Sequence, residues 1–413
     1  MSNAQRNRRV HLPVRTIICI GLLACWAGRA VPGTWLVAHA QSAEQIAEIA
    51  AANLRKAERA PVFELDPSWP KQPLPNNWGL GIVWAVKVDS RDHVWVLHQT
   101  ASPQYAERIK KAGQVPAPAL LEFDQQGNIV QSWGVPGQGG WTQGKDRPFP
   151  AQAMNIDWKG NVWVTEESRG HEVVKFTRDG KFLLQIGEVD KTNGSNDTTL
   201  LGAPSGIDFD PAANEVYIAD GYHVNQRVIV FDADTGAYKR HWGRYGLKPD
   251  DSFETGKQPM WMAPSPFLVG KTNNLGSFPR FAHGVNVSRD GLVYVADRSH
   301  SIIYVHRKDG TYIKEAPTPG PVNSVTFSSD PEQYYLYGNG INASARMYIL
   351  RRSDLQVLGT FKSDGQHYSS ADSKGNLFTC GLFMPQRFVL KDMPKRTSRD
   401  IRQPDATRGS VAR

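Results

Sequence analysis

Two histidines, His283 and His367, each stand just ahead of a short strand-like stretch, VNV at 285–287 and SSA at 369–371. Neutral imidazoles brought together from separate elements are good ligands for zinc or copper. Gln152, ahead of MNID at 154–157, holds the same place in a third stretch and would add a weak oxygen donor. A plainer reading stays open beside this one, in which both histidines are polar side chains bonded to water. Other constellations carry less. Glu166 and Glu167 resemble the paired carboxylates of a glycosidase, but neighbouring strand residues point to opposite faces and cannot share one bond. The glycine-rich GVPGQGG at 134–140 lacks the Lys-Ser/Thr of a phosphate loop, and no Gly-x-Ser-x-Gly elbow marks a nucleophilic serine.

The elements that must position these residues repeat. An apolar strand ending in Asp or Ser, a turn, and a strand of the form Val-aromatic-Val recur at 86–99, 154–167, 207–222, 285–298, 325–340 and 369–382. Third strands and turns follow most copies, as in KFTRDGKFLLQIG at 175–187, so each copy reads as a four-stranded antiparallel meander. One meander cannot bury both faces, and such units cover one another by stacking radially. The fold class is therefore all-β, a six-bladed β-propeller of the NHL type. The sixth copy stops one strand short after QRFVLK (386–391), and Val62–Leu65 upstream is expected to supply that strand and close the ring. Aligning the copies puts Trp84, Gln152, Ser205, His283, Asn323 and His367 around the axis, with the two histidines on alternate blades. The repeated aromatics Trp95, Trp163, Tyr217 and Tyr294 are expected to pack between blades. Insertions at 100–117, 135–150, 188–202 and 244–280 read as loops over one face.

The stretches PSGIDFDPAANEVYIADGYHVNQRVIVFDADTGAYKRHWG and FAHGVNVSRDGLVYVADRSHSIIYV resemble the peptidyl-α-hydroxyglycine α-amidating lyases, six-bladed propellers that cleave a C–N bond to release a peptide amide and glyoxylate. At the level of blades the resemblance runs from about residue 62 to 391. It implies a zinc site held by His283 and His367, a catalytic base at Tyr222 in ADGY, and an arginine at Arg298 in ADRS that binds the substrate carboxylate. A phenol serves as a base when a cation lies beside it, and Arg298, one blade on, is the candidate. The chain departs from the family at three positions. Gln152 stands where the first zinc histidine would be, Gln99 replaces an expected arginine, and Tyr368 replaces a calcium-binding aspartate. Zinc is thus the implied cofactor, while calcium has no support in a ring without carboxylates.

The first forty residues carry five arginines, no acid and an apolar run at Ile17–Ala27 too short to span a bilayer, which is the order of a secretory signal. Ala38-His39-Ala40 offers a cleavage site, so residues 1–40 are expected to leave and no transmembrane anchor to remain. A minor alternative acylates Cys25. The formal charge of +8 shrinks with the leader, and the body without its basic tail is close to neutral, giving no footprint for nucleic acid. Cys380 would be the one cysteine of the mature chain, so no internal disulfide forms. The expected organisation is a signal peptide at 1–40, an N-terminal amphipathic helix at 41–60, the propeller at 61–391 and a disordered basic tail at 392–413. The expected function is a periplasmic or secreted metal-assisted lyase taking a small-molecule or peptide substrate in the central channel. Its alternative is a non-catalytic propeller binding a peptide, glycan or protein on its loop face.

Overall fold

The computed structural model describes residues 59–99, 103–134, 151–166, 170–222, 225–251, 282–341, 346–364 and 367–394. The expected signal peptide, nearly all of the expected 41–60 helix and the tail beyond 394 lie outside the described residues.

Six four-stranded antiparallel sheets follow one another along the chain. Their inner strands are Ile82–Val88, Ala151–Ile156, Gly206–Asp210, Gly284–Val287, Val322–Phe327 and Ser369–Ala371, for blades 1 to 6. Each inner strand lies against that of the next blade, and blade 6 returns to blade 1, so the ring is closed. This is a six-bladed β-propeller. Blade 6 draws its outer strand, Val62–Asp66, from the start of the described chain, and that strand pairs antiparallel with Gln386–Asp392. Ion pairs fasten the seam, Lys391 to Glu64 at 3.1 Å and Arg387 to Asp66.

The turn after each inner strand explains why Asp recurs there. Asp157 accepts the backbone N–H groups of Lys159 and Asn161 and, through its second oxygen, the Trp163 indole at 3.0 Å. Asp89 does the same for Arg91, His93 and the Trp95 indole at 3.1 Å. One carboxylate therefore shapes the hairpin and satisfies the N–H of the aromatic that fills the blade interface. Trp95, Trp163, Tyr217 and Tyr294 are all buried, and the apolar core is divided among the seams between sheets rather than gathered at one centre.

The 100–117 insertion holds a helix that the sequence pattern did not suggest, α1 (Pro103–Lys111). Ile109 is its one fully buried apolar residue, and Arg108 holds the helix down by donating to the Leu80 carbonyl and lying 3.9 Å over the Phe383 ring. Nine residues are too few for a helix to stand alone in water, so docking against the propeller sustains it.

Candidate active site in the central channel

The six residues expected around the axis do meet there. Gln152, fully buried, places its amide nitrogen 3.4 Å from His283 Nε2 and 3.4 Å from His367 Nδ1. The His283 Nδ1 proton goes to the Asn323 carbonyl at 2.8 Å, which fixes the tautomer and leaves the Nε2 lone pair facing the axis. Ser205 donates to the His283 carbonyl at 2.8 Å, and the Trp84 ring meets His367 edge-on, centroids 4.2 Å apart. Burial, and after it the positive charge of Arg298, pushes His367 down to about 3, so its imidazole stays neutral across the physiological range.

Tyr222 and Arg298 join this cluster from equivalent places in blades 3 and 4, each just beyond the second strand, Glu215–Asp220 and Leu292–Asp297. The Tyr222 ring stands edge-on to His283, centroids 5.3 Å apart, and the Arg298 guanidinium lies 4.6 Å over the Tyr222 ring. Each follows a buried aspartate that ends the strand before it. Asp220, fully buried, accepts from Gly202 N–H at 2.7 Å, Asn225 at 2.7 Å and Arg227 at 2.9 Å. Asp297, also fully buried, is bound by Arg244 at 3.1 Å and His300 at 2.8 Å. The Ala-Asp pair in ADGY and ADRS thus anchors the loop from which the functional side chain projects. Gln99, by contrast, spends its side-chain oxygen on the Trp84 indole at 3.2 Å.

One feature escaped the sequence reading. Tyr368 on blade 6 donates its hydroxyl to the Ser205 carbonyl on blade 3, the blade opposite, and its ring stacks on His283 with centroids 6.2 Å apart. Its phenol therefore lies across the axis as a bar from blade 6 to blade 3, beside His283. Nothing in the local sequence marks it, because the partner lies 163 positions away.

The donor chemistry suits a borderline divalent ion such as zinc. Two imidazole nitrogens face one point, and Gln152 Oε1 is buried without a hydrogen-bond partner, so turning that amide over would offer an oxygen beside them. Among the described residues no cluster of three or more His, Cys, Asp or Glu could hold a metal, so these three side chains are the set available.

The geometry defines a class, a six-bladed propeller with a polar, histidine-bearing axis barred below by a tyrosine. No protein-family model matches the chain. The chain is similar to NHL repeat-containing protein 3 of Homo sapiens, 24% identical over 291 residues, 68% of each chain. It is also 24% identical to peptidyl-glycine alpha-amidating monooxygenase A of Xenopus laevis over 279 residues, 65% of this chain but 26% of that protein. Among solved structures, virginiamycin B lyase from Staphylococcus aureus superposes with a TM-score of 0.43 and 13% identity over 77% of this chain and 82% of that one. The chain is thus a propeller distantly related to NHL-repeat and peptide-amidating proteins. No helix among the described residues is long and apolar enough to cross a membrane.

Proposed function

We propose that this chain is an exported lyase that cleaves a C–N bond in a small or peptidic anionic substrate, in the manner of the peptidyl-α-hydroxyglycine amidating lyases. The observation that carries it is the meeting of His283, His367, Tyr222 and Arg298 at one mouth of the channel, above the Tyr368 bar. In this reading Arg298 binds the substrate carboxylate, and the Tyr222 hydroxyl beside it acts as the base that takes the proton of the α-hydroxyl group. As the C–O bond becomes a carbonyl the C–N bond breaks, and the departing amide nitrogen takes up a proton. His283, His367 and a turned Gln152 would hold a zinc ion, which when bound supplies Lewis-acid polarisation of the substrate oxygen.

The test is glyoxylate release from a peptide ending in α-hydroxyglycine, with zinc content measured on the same purified protein. Turnover that falls at least about a hundredfold in Tyr222→Phe and in His283→Ala supports the reading. Absence of turnover with zinc, copper or no added metal overturns it. Gln152 gives weight to a second reading, a propeller that binds a peptide, glycan or protein without chemistry. There the amide itself links the two imidazoles, as its 3.4 Å contacts show, and no ion is needed.

A further inference from the structure

Gln152 is the extra residue of a β-bulge. Its neighbours Ala151 and Ala153 pair with Glu166 and Thr165, which adjoin in the chain, so Gln152 itself has no partner across the ladder. The Ala153 N–H pins the bulge by donating to the Thr165 hydroxyl at 2.9 Å. The side chain is thereby aimed at the axis, where its amide is fully buried against His283 and His367.

Which way that amide faces follows from His283. The Nδ1 proton of this ring is committed to the Asn323 carbonyl, so Nε2 accepts, and the Gln152 group 3.4 Å from it is the NH2. The second amide proton is directed to His367 Nδ1, also at 3.4 Å. One nitrogen thus bridges the two ring nitrogens that would hold a metal. On its far side Oε1 is buried and makes no hydrogen bond. Turning the amide over therefore breaks two long hydrogen bonds and no bond to the oxygen, about a torsion that is broad and roughly twofold. It exchanges a donor for an acceptor at the point where both imidazoles converge.

We infer that Gln152 makes the axis a switched metal site. The inference rests on the zinc ligands of the proposed lyase but not on its chemistry. Nitrogen inward, the amide bridges the imidazoles and keeps a cation out. Oxygen inward, it completes a set of three donors for zinc. Metal binding then competes with an internal bridge, so occupancy of the site follows the zinc supply instead of being permanent. A buried amide oxygen without a partner is costly, and a bound cation gives it the partner that the bridged state withholds.

The test is the zinc affinity of the purified full chain, measured by competition with a chromophoric chelator, alongside thermal unfolding with and without zinc. Zinc binding that His283→Ala abolishes is expected. Gln152→His supplies a nitrogen that needs no turning and should tighten binding at least about a hundredfold. Gln152→Leu removes bridge and oxygen alike and should weaken it at least about threefold. Gln152→Glu keeps the shape, cannot donate and offers a charged oxygen. Its metal-free form should melt at least about 3 °C below the parent, and zinc should raise its Tm by more than it raises the parent's. Equal affinity in the parent, Gln152→His and Gln152→Leu would overturn the inference, and so would a parent that takes up no zinc. Tighter binding in Gln152→Leu would also overturn it, as the mark of an amide that only excludes metal. Turnover enters none of these readings, so an inactive protein that shows them sinks the lyase and keeps the switch. Should Gln152→Glu fail to fold, Gln152→His and Gln152→Leu decide the matter.

Discussion

Arg227 is fully buried and spends its guanidinium on Asp220 at 2.9 Å, the Ser195 carbonyl at 2.8 Å, the Leu200 carbonyl at 2.7 Å and the Asp197 carbonyl. Arg227→Met keeps most of the aliphatic stem and removes all of these donors. Asp220, with no exposure, then carries a charge without its cation, a situation that costs about 3–5 kcal/mol when one partner of a buried pair is deleted. For a fold of this size, at roughly 2 cal/mol/K of unfolding entropy per residue, that corresponds to a fall in Tm of about 4–7 °C. Urea and thermal unfolding measure it directly. Adding Asp220→Asn to the variant removes the stranded charge and should recover at least about 1 kcal/mol relative to the sum of the two single changes. Because Tyr222 projects two residues beyond Asp220, the proposed lyase turnover should fall with little change in KM. A folded Arg227→Met protein within about 1 kcal/mol of the parent, or strict additivity in the double variant, would refute the reasoning.

Three further outcomes are expected. His98 and His306 are each pushed by burial down to about 4, well under the unfolded value of about 6.5. Between those values the unfolded chain binds protons that the folded chain does not, so stability must fall as pH drops from about 6.5 toward 4, by up to about 3 kcal/mol per histidine; urea unfolding across that range should show His98→Gln losing less than the parent. Gly187 adopts φ +83°, and a Cβ there would lie 2.3 Å from the His171 carbonyl, so Gly187→Ala should cost more than about 1 kcal/mol by the same assay. Removing the chain up to Asp66 takes away the outer strand of blade 6 and bares the edge of Gln386–Asp392, which should lower Tm and promote self-association measurable by light scattering.

The propeller was legible because each blade announces itself locally. Asp157 and Trp163 sit six residues apart for one hydrogen-bonding reason, and the same pair recurs as Asp89 and Trp95. The axial ring followed from that register, since one offset from each repeat reaches Gln152, His283 and His367. What escaped depended on contacts between distant parts of the chain. Helix α1 is short, sits inside an insertion between repeats, and is held by Arg108 against Leu80 and Phe383, contacts that no repeat pattern announces. Tyr368 read only as a departure from a family pattern, because its hydroxyl is spent on a carbonyl of the opposite blade.

The Tyr368 bar also governs traffic. A side chain hydrogen-bonded from one blade to the blade opposite obstructs passage along the axis, so a molecule that reached His283 would leave on the side from which it entered. The proposed lyase would then release its products in sequence: the fragment nearer the opening departs first, and the deeper one waits behind any molecule that re-enters. Product inhibition should therefore be competitive for the deeper fragment, which leaves last, and noncompetitive for the outer one. Tyr368→Phe keeps the ring, and with it the blockage, whereas Tyr368→Ala would join the two chambers and turn a dead end into a passage.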